Sequence, residues 1–227
     1  MDSLKPCRAV IFDLDGTLAD TAEDMTLAIK KTLEDFGLPP HPRDVVQTMV
    51  GEGLAKLVER AFAKHGVTLD GASRKKAFAR LLSHYSANPC VDSHLYPGAR
   101  KMLEDLTGAG IECAVLTNKY QSIALDLLGE LGVVDLFKEV HGERDGYPRK
   151  PDPKSALNLV RDLGSSPDTT LIVGDTKTDL ETARAAGLRA VLVSYGYSTV
   201  PVESLGPDAV INHLHELVDG LVLPSEA

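Results

Sequence analysis

Short blocks of consecutive apolar residues alternate along this chain with longer stretches whose apolar positions recur every three or four residues. The blocks lie at 7–13, 111–118, 169–175 and 188–196, with weaker ones at 137–142 and 208–213. Most are rich in β-branched residues and lack polar alternation, the pattern of strands buried on both faces. The stretches between them carry helix punctuation. Pro97 opens one and Gly108 to Gly110 stop it. Asp152 is placed to cap another, with Pro153 at its first position. A third shows a capping box from Thr178 to Glu181 and ends on Gly187. Strands alternating with helices predict an α/β fold with a central parallel sheet covered on both faces.

One region departs from this rhythm. Residues 20–91 contain no convincing strand and read as three or four helices, over 21–37, 43–66 and 73–86. The expected organisation is an α/β core built from residues 1–19 and 92–227, with an all-helical cap, 20–91, inserted after the first strand.

The first block ends abruptly. In VIFDLDGTLAD, residues 10–20, the apolar run gives way to Asp13 and Asp15. Two ionised carboxylates about 4 Å apart repel by about 1 kcal/mol in water and about 4 kcal/mol at a partly shielded site. In parallel sheets ligands bind beyond the carboxyl ends of the strands, and the other blocks also end in polar groups. Gly16 and Thr17 follow the first, Thr117, Asn118 and Lys119 the second. Lys150 lies in the loop after the weak block at 137–142, and Asp175 and Asp179 follow 169–175. Asp13, Asp15 and Asp175 have the hardness and charge to hold Mg²⁺, which offsets the repulsion and neutralises a bound phosphate. A lysine at the same point stabilises phosphoryl oxygens. An aspartate can attack phosphorus, and a second carboxylate can carry the proton.

DLDGT, LTN, the lysine of RKPDP, and GDTKTD together resemble the four ordered motifs of haloacid dehalogenase-like phosphohydrolases. The likeness spans nearly the whole chain, including a helical cap after the first motif. LTNK, VGEGLAKLVERAF and SYGYS resemble segments of the phosphoglycolate phosphatase-like subfamily. The resemblance implies a Rossmannoid core and a Mg²⁺-dependent phosphomonoesterase acting on 2-phosphoglycolate through an aspartyl phosphate. It implies Asp13 as nucleophile and Asp15 as general acid and base. Thr117 and Lys150 would serve the phosphate, with Gly16, Thr17 and Asn118 lending hydrogen bonds. The metal would sit on the Asp13 and Asp175 carboxylates and the Asp15 carbonyl, with Asp179 behind or as an alternative ligand. Arg60 is a candidate contact for the substrate's carboxylate, from a cap loop, GEGLAK, that closes over the site. Thr176 stands where many relatives have serine, keeping the hydroxyl.

Other readings are weaker. A pyrophosphatase or a sugar phosphomutase would use the same motifs. A receiver-type phosphoacceptor shares the clustered aspartates but places its acceptor on a middle strand. A calcium loop needs its glycine at position six, and Gly16 stands at four. GEGLAK lacks the third glycine and the preceding strand of a dinucleotide site. SRKK, 73–76, reads as a helix N-cap, and His213 and His215 as surface residues. The net charge of −9 argues against nucleic acid as a partner. Three cysteines without a CxxC pair favour a reducing cytoplasm, and no apolar run approaches a membrane span. The expected partner is a small phosphorylated substrate, and the expected assembly a monomer or homodimer.

Overall fold

The computed structural model describes residue 4 and residues 6–221. The expected core segments run past these at both ends, and those ends lie outside the described residues. Six strands form one parallel sheet: β1 (Ala9–Phe12), β4 (Glu112–Tyr120), β5 (Glu139–Glu143), β6 (Thr170–Gly174), β7 (Arg189–Val193) and β8 (Ala209–Ile211). Their spatial order is β5-β4-β1-β6-β7-β8. The chain thus builds outward on one side of β1, then returns to build the other. The point of reversal lies between β1 and β6, where a parallel sheet opens a crevice at its carboxyl edge.

Alternation along the strands divides the core into two layers. Val10 and Phe12 join Cys113, Val115, Leu171 and Val173 beneath α5 (Ala99–Gly108), α6 (Gln121–Glu130) and α9 (His215–Leu221). Ala9 and Ile11 face the other way, with Leu116 and Ile172, against α7 (Pro153–Asp162) and α8 (Lys177–Ala186). Asp152 caps α7 by accepting the Lys154 N–H, with Pro153 in its first turn, as expected.

Four helices follow β1: α1 (Ala22–Asp35), α2 (Arg43–Gln47), α3 (Leu54–Ala63) and α4 (Gly71–Ser86). They enclose a separate apolar cluster that includes Ile29, Leu57, Phe62, Leu81 and Tyr85. The chain enters and leaves this helical unit through a two-stranded antiparallel ribbon, β2 (Ala19–Asp20) with β3 (His94–Leu95). At the exit, the buried Asp24 carboxylate of α1 accepts the N–H groups of Val91, Asp92 and Ser93 and the Ser93 hydroxyl, at 2.6–3.2 Å.

Three local expectations are corrected. The capping box of α8 lies two residues earlier than Thr178–Glu181: Asp179 reaches back to the Thr176 N–H. Asp179 is held there because Lys150 grips its other oxygen. Ser73 does not cap α4; Asp70 does, accepting the Ser73 N–H at 2.7 Å, so the helix begins earlier. Pro97 precedes α5 rather than opening it, because Gly98, with φ +84°, occupies the N-cap.

Candidate active site

The carboxyl ends of β1, β4 and β6 bring together residues from four separate stretches of chain. Asp13 directly follows β1 and is almost fully buried. Its Oδ1 accepts the Leu14 N–H at 2.7 Å and pairs with Lys150 Nζ at 2.8 Å. Oδ2 receives no hydrogen bond from the described residues. Lys150 also pairs with Asp179 Oδ1 at 2.6 Å. Burial works against this ammonium, but the Asp13 and Asp179 charges beside it raise its pKa, and it stays protonated.

Asp175, after β6, is fully buried. Its Oδ2 accepts the Tyr197 N–H at 2.6 Å and its Oδ1 the Thr17 hydroxyl at 3.3 Å. Burial pushes its carboxyl well above the usual carboxylate range, and the Asp179 and Asp13 charges add to the shift. Burial likewise raises Asp13, with Lys150 opposing it. Gly16, at φ +81°, and Gly196 both back directly onto the Asp175 carboxyl, and a Cβ at either would collide with it. The remaining acid, Asp15, points its Oδ1 to the Thr21 hydroxyl at 2.6 Å and to Lys119 Nζ at 2.7 Å.

Oxygens of Asp13, Asp175 and Asp179 lie within 4.8 Å of one another. Four carboxylates here, counting Asp15, face two ammonium groups, Lys119 and Lys150. A divalent cation beside this buried, oxygen-rich cluster would offset the cost of ionising its carboxyls. Asp179 is the least available donor. Its Oδ2 is occupied by the Asp175 and Thr176 N–H groups and the Thr176 hydroxyl.

A pocket opens over this cluster between core and helical unit. Asp13, Asp15, Thr117 and Asn118 line its floor, and Met25, Val50, Leu54 and Leu57 its apolar roof. Its free volume of about 20 Å³ leaves room for little more than one water. Asn118 ties the two parts together, donating through Nδ2 to the carbonyls of Gly51 and Lys150, both at 3.1 Å.

Of the expected site residues, Asp13, Asp15, Thr117 and Asn118 meet at the pocket, and Lys150, Asp175 and Asp179 support it from behind. Gly16 and Thr17 turn instead toward Asp175. Arg60 is not brought to the pocket. It binds the Met49 carbonyl at 2.9 Å and the Glu52 carboxylate, and faces a separate groove with Thr176 and Tyr197. Sequence reasoning placed Lys119 among the polar groups that end the second block but assigned it no role in the site. It missed Tyr197, whose hydroxyl donates to Asp20 at 2.8 Å and accepts the Thr21 N–H at 2.7 Å, joining the Asp175 loop to β2 and the start of α1.

The profile of the haloacid dehalogenase-like hydrolases matches residues 10–193. The chain belongs to that family. A phosphoglycolate phosphatase of Rhodospirillum rubrum is 42% identical over 221 residues, covering 96% of this chain and 92% of that one. One from Caulobacter vibrioides is 38% identical over 203 residues, covering 89% of this chain and 86% of its own length. The crystal structure of a protein from Haemophilus somnus, described as a predicted phosphoglycolate phosphatase, superposes with a TM-score of 0.88 at 30% identity, covering 94% of this chain and 97% of that one. Family and relatives agree with the expected enzyme class, a phosphoric monoester hydrolase. They also set aside the receiver-type reading, since the match to the hydrolase family spans residues 10–193.

Proposed function

We propose that this hydrolase is a Mg²⁺-dependent phosphomonoesterase that cleaves 2-phosphoglycolate through an aspartyl phosphate on Asp13. The observation that carries the reading is the asymmetry of the Asp13 carboxylate. Lys150 and the Leu14 N–H fix Oδ1, which leaves Oδ2 as the oxygen available for attack at the pocket floor. The Asp13 Oδ2–P bond forms as the P–O ester bond breaks, and protonated Asp15 gives its proton to the departing ester oxygen. Asp15, now ionised, takes a proton from water as the water oxygen attacks phosphorus and the Asp13–P bond breaks. Inorganic phosphate leaves, and both aspartates return to their starting states. Thr117, whose oxygen accepts the Lys119 N–H at 3.0 Å, keeps its hydroxyl proton for a phosphoryl oxygen. Asp13, Asp175 and the Asp15 carbonyl would hold Mg²⁺, which supplies charge neutralisation for the phosphoryl group. Residues 20–91 act as the cap that excludes bulk water once substrate is in place.

The names of the relatives direct the substrate assignment to phosphoglycolate. Three free cysteines suit a reducing cytoplasm. The test is phosphate release from a panel of phosphomonoesters, with Mg²⁺ or EDTA, by wild type and Asp13→Asn. Phosphoglycolate should rank near the top, EDTA should abolish release, and the variant should lose turnover at least 10³-fold, on the order expected for a nucleophile. An equally active variant would refute the assignment of Asp13.

A further inference from the structure

The pocket presents an incoming substrate with an unusual balance of groups. Among the described residues that line it, Lys119 is the only cation. Its roof is apolar. Both Asn118 amide hydrogens are committed to backbone carbonyls, and the Asn118 Oδ1 left over is an acceptor, which a carboxylate cannot use. Arg60, the other candidate for an anionic tail, is engaged elsewhere. An anion beyond the phosphoryl group has one charged partner to find.

Lys119 is built to be that partner. It is the next-to-last residue of β4, two residues after Thr117, and its side chain is 1% exposed. Its ammonium pairs with Asp15 and lies 4.6 Å from the centre of the Tyr85 ring, which the cap helix α4 supplies. The ring holds the charge from one side, and Asp15 holds it from another. An ammonium has three donors, and Asp15 takes one. We propose, building on the phosphatase reading above, that Lys119 binds the substrate's carboxylate and so sets the distance between that carboxylate and the ester oxygen. The same ammonium then touches both the substrate's tail and the carboxyl group that protonates its leaving oxygen. That shared contact selects phosphoesters whose ester carbon bears the carboxylate directly. A tail one methylene longer puts the ester oxygen out of register with Asp15. A neutral tail leaves a buried ammonium with donors unfilled, the arrangement that rejects analogues most strongly.

The experiment compares 2-phosphoglycolate, the phosphate ester of 3-hydroxypropionate and ethyl phosphate as substrates of wild type, Lys119→Met and Lys119→Arg, all with Mg²⁺. In wild type, kcat/KM should fall in that order. In Lys119→Met the ratio of phosphoglycolate to ethyl phosphate should drop at least 30-fold, with KM for phosphoglycolate carrying much of the change. Lys119→Arg, with its longer reach, should keep the preference for a carboxylate and narrow the gap between the two acids. Inhibition of ethyl phosphate turnover by free glycolate gives a second readout, and its inhibition constant should rise at least 10-fold in Lys119→Met. If Lys119→Met lost activity equally toward all three esters and bound glycolate unchanged, Lys119 would be a support for Asp15 alone and the proposal would fall. A wild type indifferent to the tail would overturn it as well. Both outcomes leave the phosphatase reading standing, which fails separately if wild type with Mg²⁺ hydrolyses none of the three. Circular dichroism of the variants separates misfolding from a true loss, and Lys119→Arg preserves the buried charge if Lys119→Met proves unstable.

Discussion

Lys150 sits between Asp13 and Asp179 at 2.8 and 2.6 Å, with 2% of its side chain exposed. Removing one partner of such a group leaves charge buried without compensation, at a cost of about 3–5 kcal/mol. Lys150→Met should therefore lower the urea midpoint as well as activity, and added Mg²⁺ should restore part of the stability by standing in for the lost charge. Gly196→Ala probes the same centre without altering a backbone that needs positive φ: its new methyl collides with the Asp175 carboxyl. It should weaken the apparent affinity for Mg²⁺ in the activity assay by at least 10-fold while Tm changes much less than in Lys150→Met. The cysteines make a third prediction. Burial pushes the Cys7 thiol up to about 11 and Cys113 to about 12. Iodoacetamide at pH 8 should modify both slowly in the native protein, faster as pH rises through 10, and at the rate of an ordinary thiol once guanidinium unfolds the chain. At this scale the sequence was informative where chemistry is carried by an unusual residue at the end of an apolar run, as with Asp13, Asp15 and Asp175. It was silent where a residue's role depends on what lies across the fold. Lys119 follows Thr117 and Asn118 in plain view, but its partners, Asp15 and Tyr85, are 104 and 34 positions away, and no spacing rule connects them.

Among the elements, β1, β4, β6 and β7 were legible because each contains a short apolar run, β5 and β8 were weaker because theirs are brief or interrupted, and the ribbon β2–β3 was not legible. Two-residue strands carry no periodicity, and their pairing joins positions far apart in the chain. The break between α2 and α3 was legible only as the loop GEGLAK within a stretch that otherwise reads as one. The apolar pattern runs on through it, and only Gly51 and Gly53, at φ +114° and +84°, mark the turn that brings the loop over the site. The Asp24 clamp is the element-scale feature with the sharpest test. One carboxylate accepts four groups from the chain leaving the helical unit. Hydrogen bonds to a charged group contribute about 1.5–3 kcal/mol each where the alternative is an unmet donor, so Asp24→Ala should destabilise the protein by at least about 2 kcal/mol in urea melts. A second contact ties α1 to α4 on the exposed side. Hydrogen bonds from Arg80 and His84 hold the Asp35 carboxyl down at about 2, from an ordinary value of 3.8. The folded pKa is the lower one, so the stability this contact adds is complete above about pH 4 and is lost as pH falls through 2. The Tm difference between wild type and Asp35→Asn should therefore be widest at pH 5 and close towards pH 2.

For the whole molecule, the order β5-β4-β1-β6-β7-β8 explains why the site is assembled from distant segments. β1 is central, and its neighbours are strands that come much later in the chain: Ala9 pairs with Glu112 on one side and with Thr170 on the other. The sequence pattern indicated a parallel sheet, but not which strands flank the first, since every buried strand looks alike in composition. This placement also has a consequence in time. The carboxylate proposed to attack phosphate is made within the first moments of synthesis, while the strand that completes its seat ends at Gly174. At about 5–20 residues per second, some 8–32 seconds separate the two during synthesis. Throughout that interval Asp13 lacks Asp175, which follows Gly174 in the chain. Activity arrives all at once, near the end of translation, and a message cut short anywhere before the codon for Gly174 yields no partial enzyme.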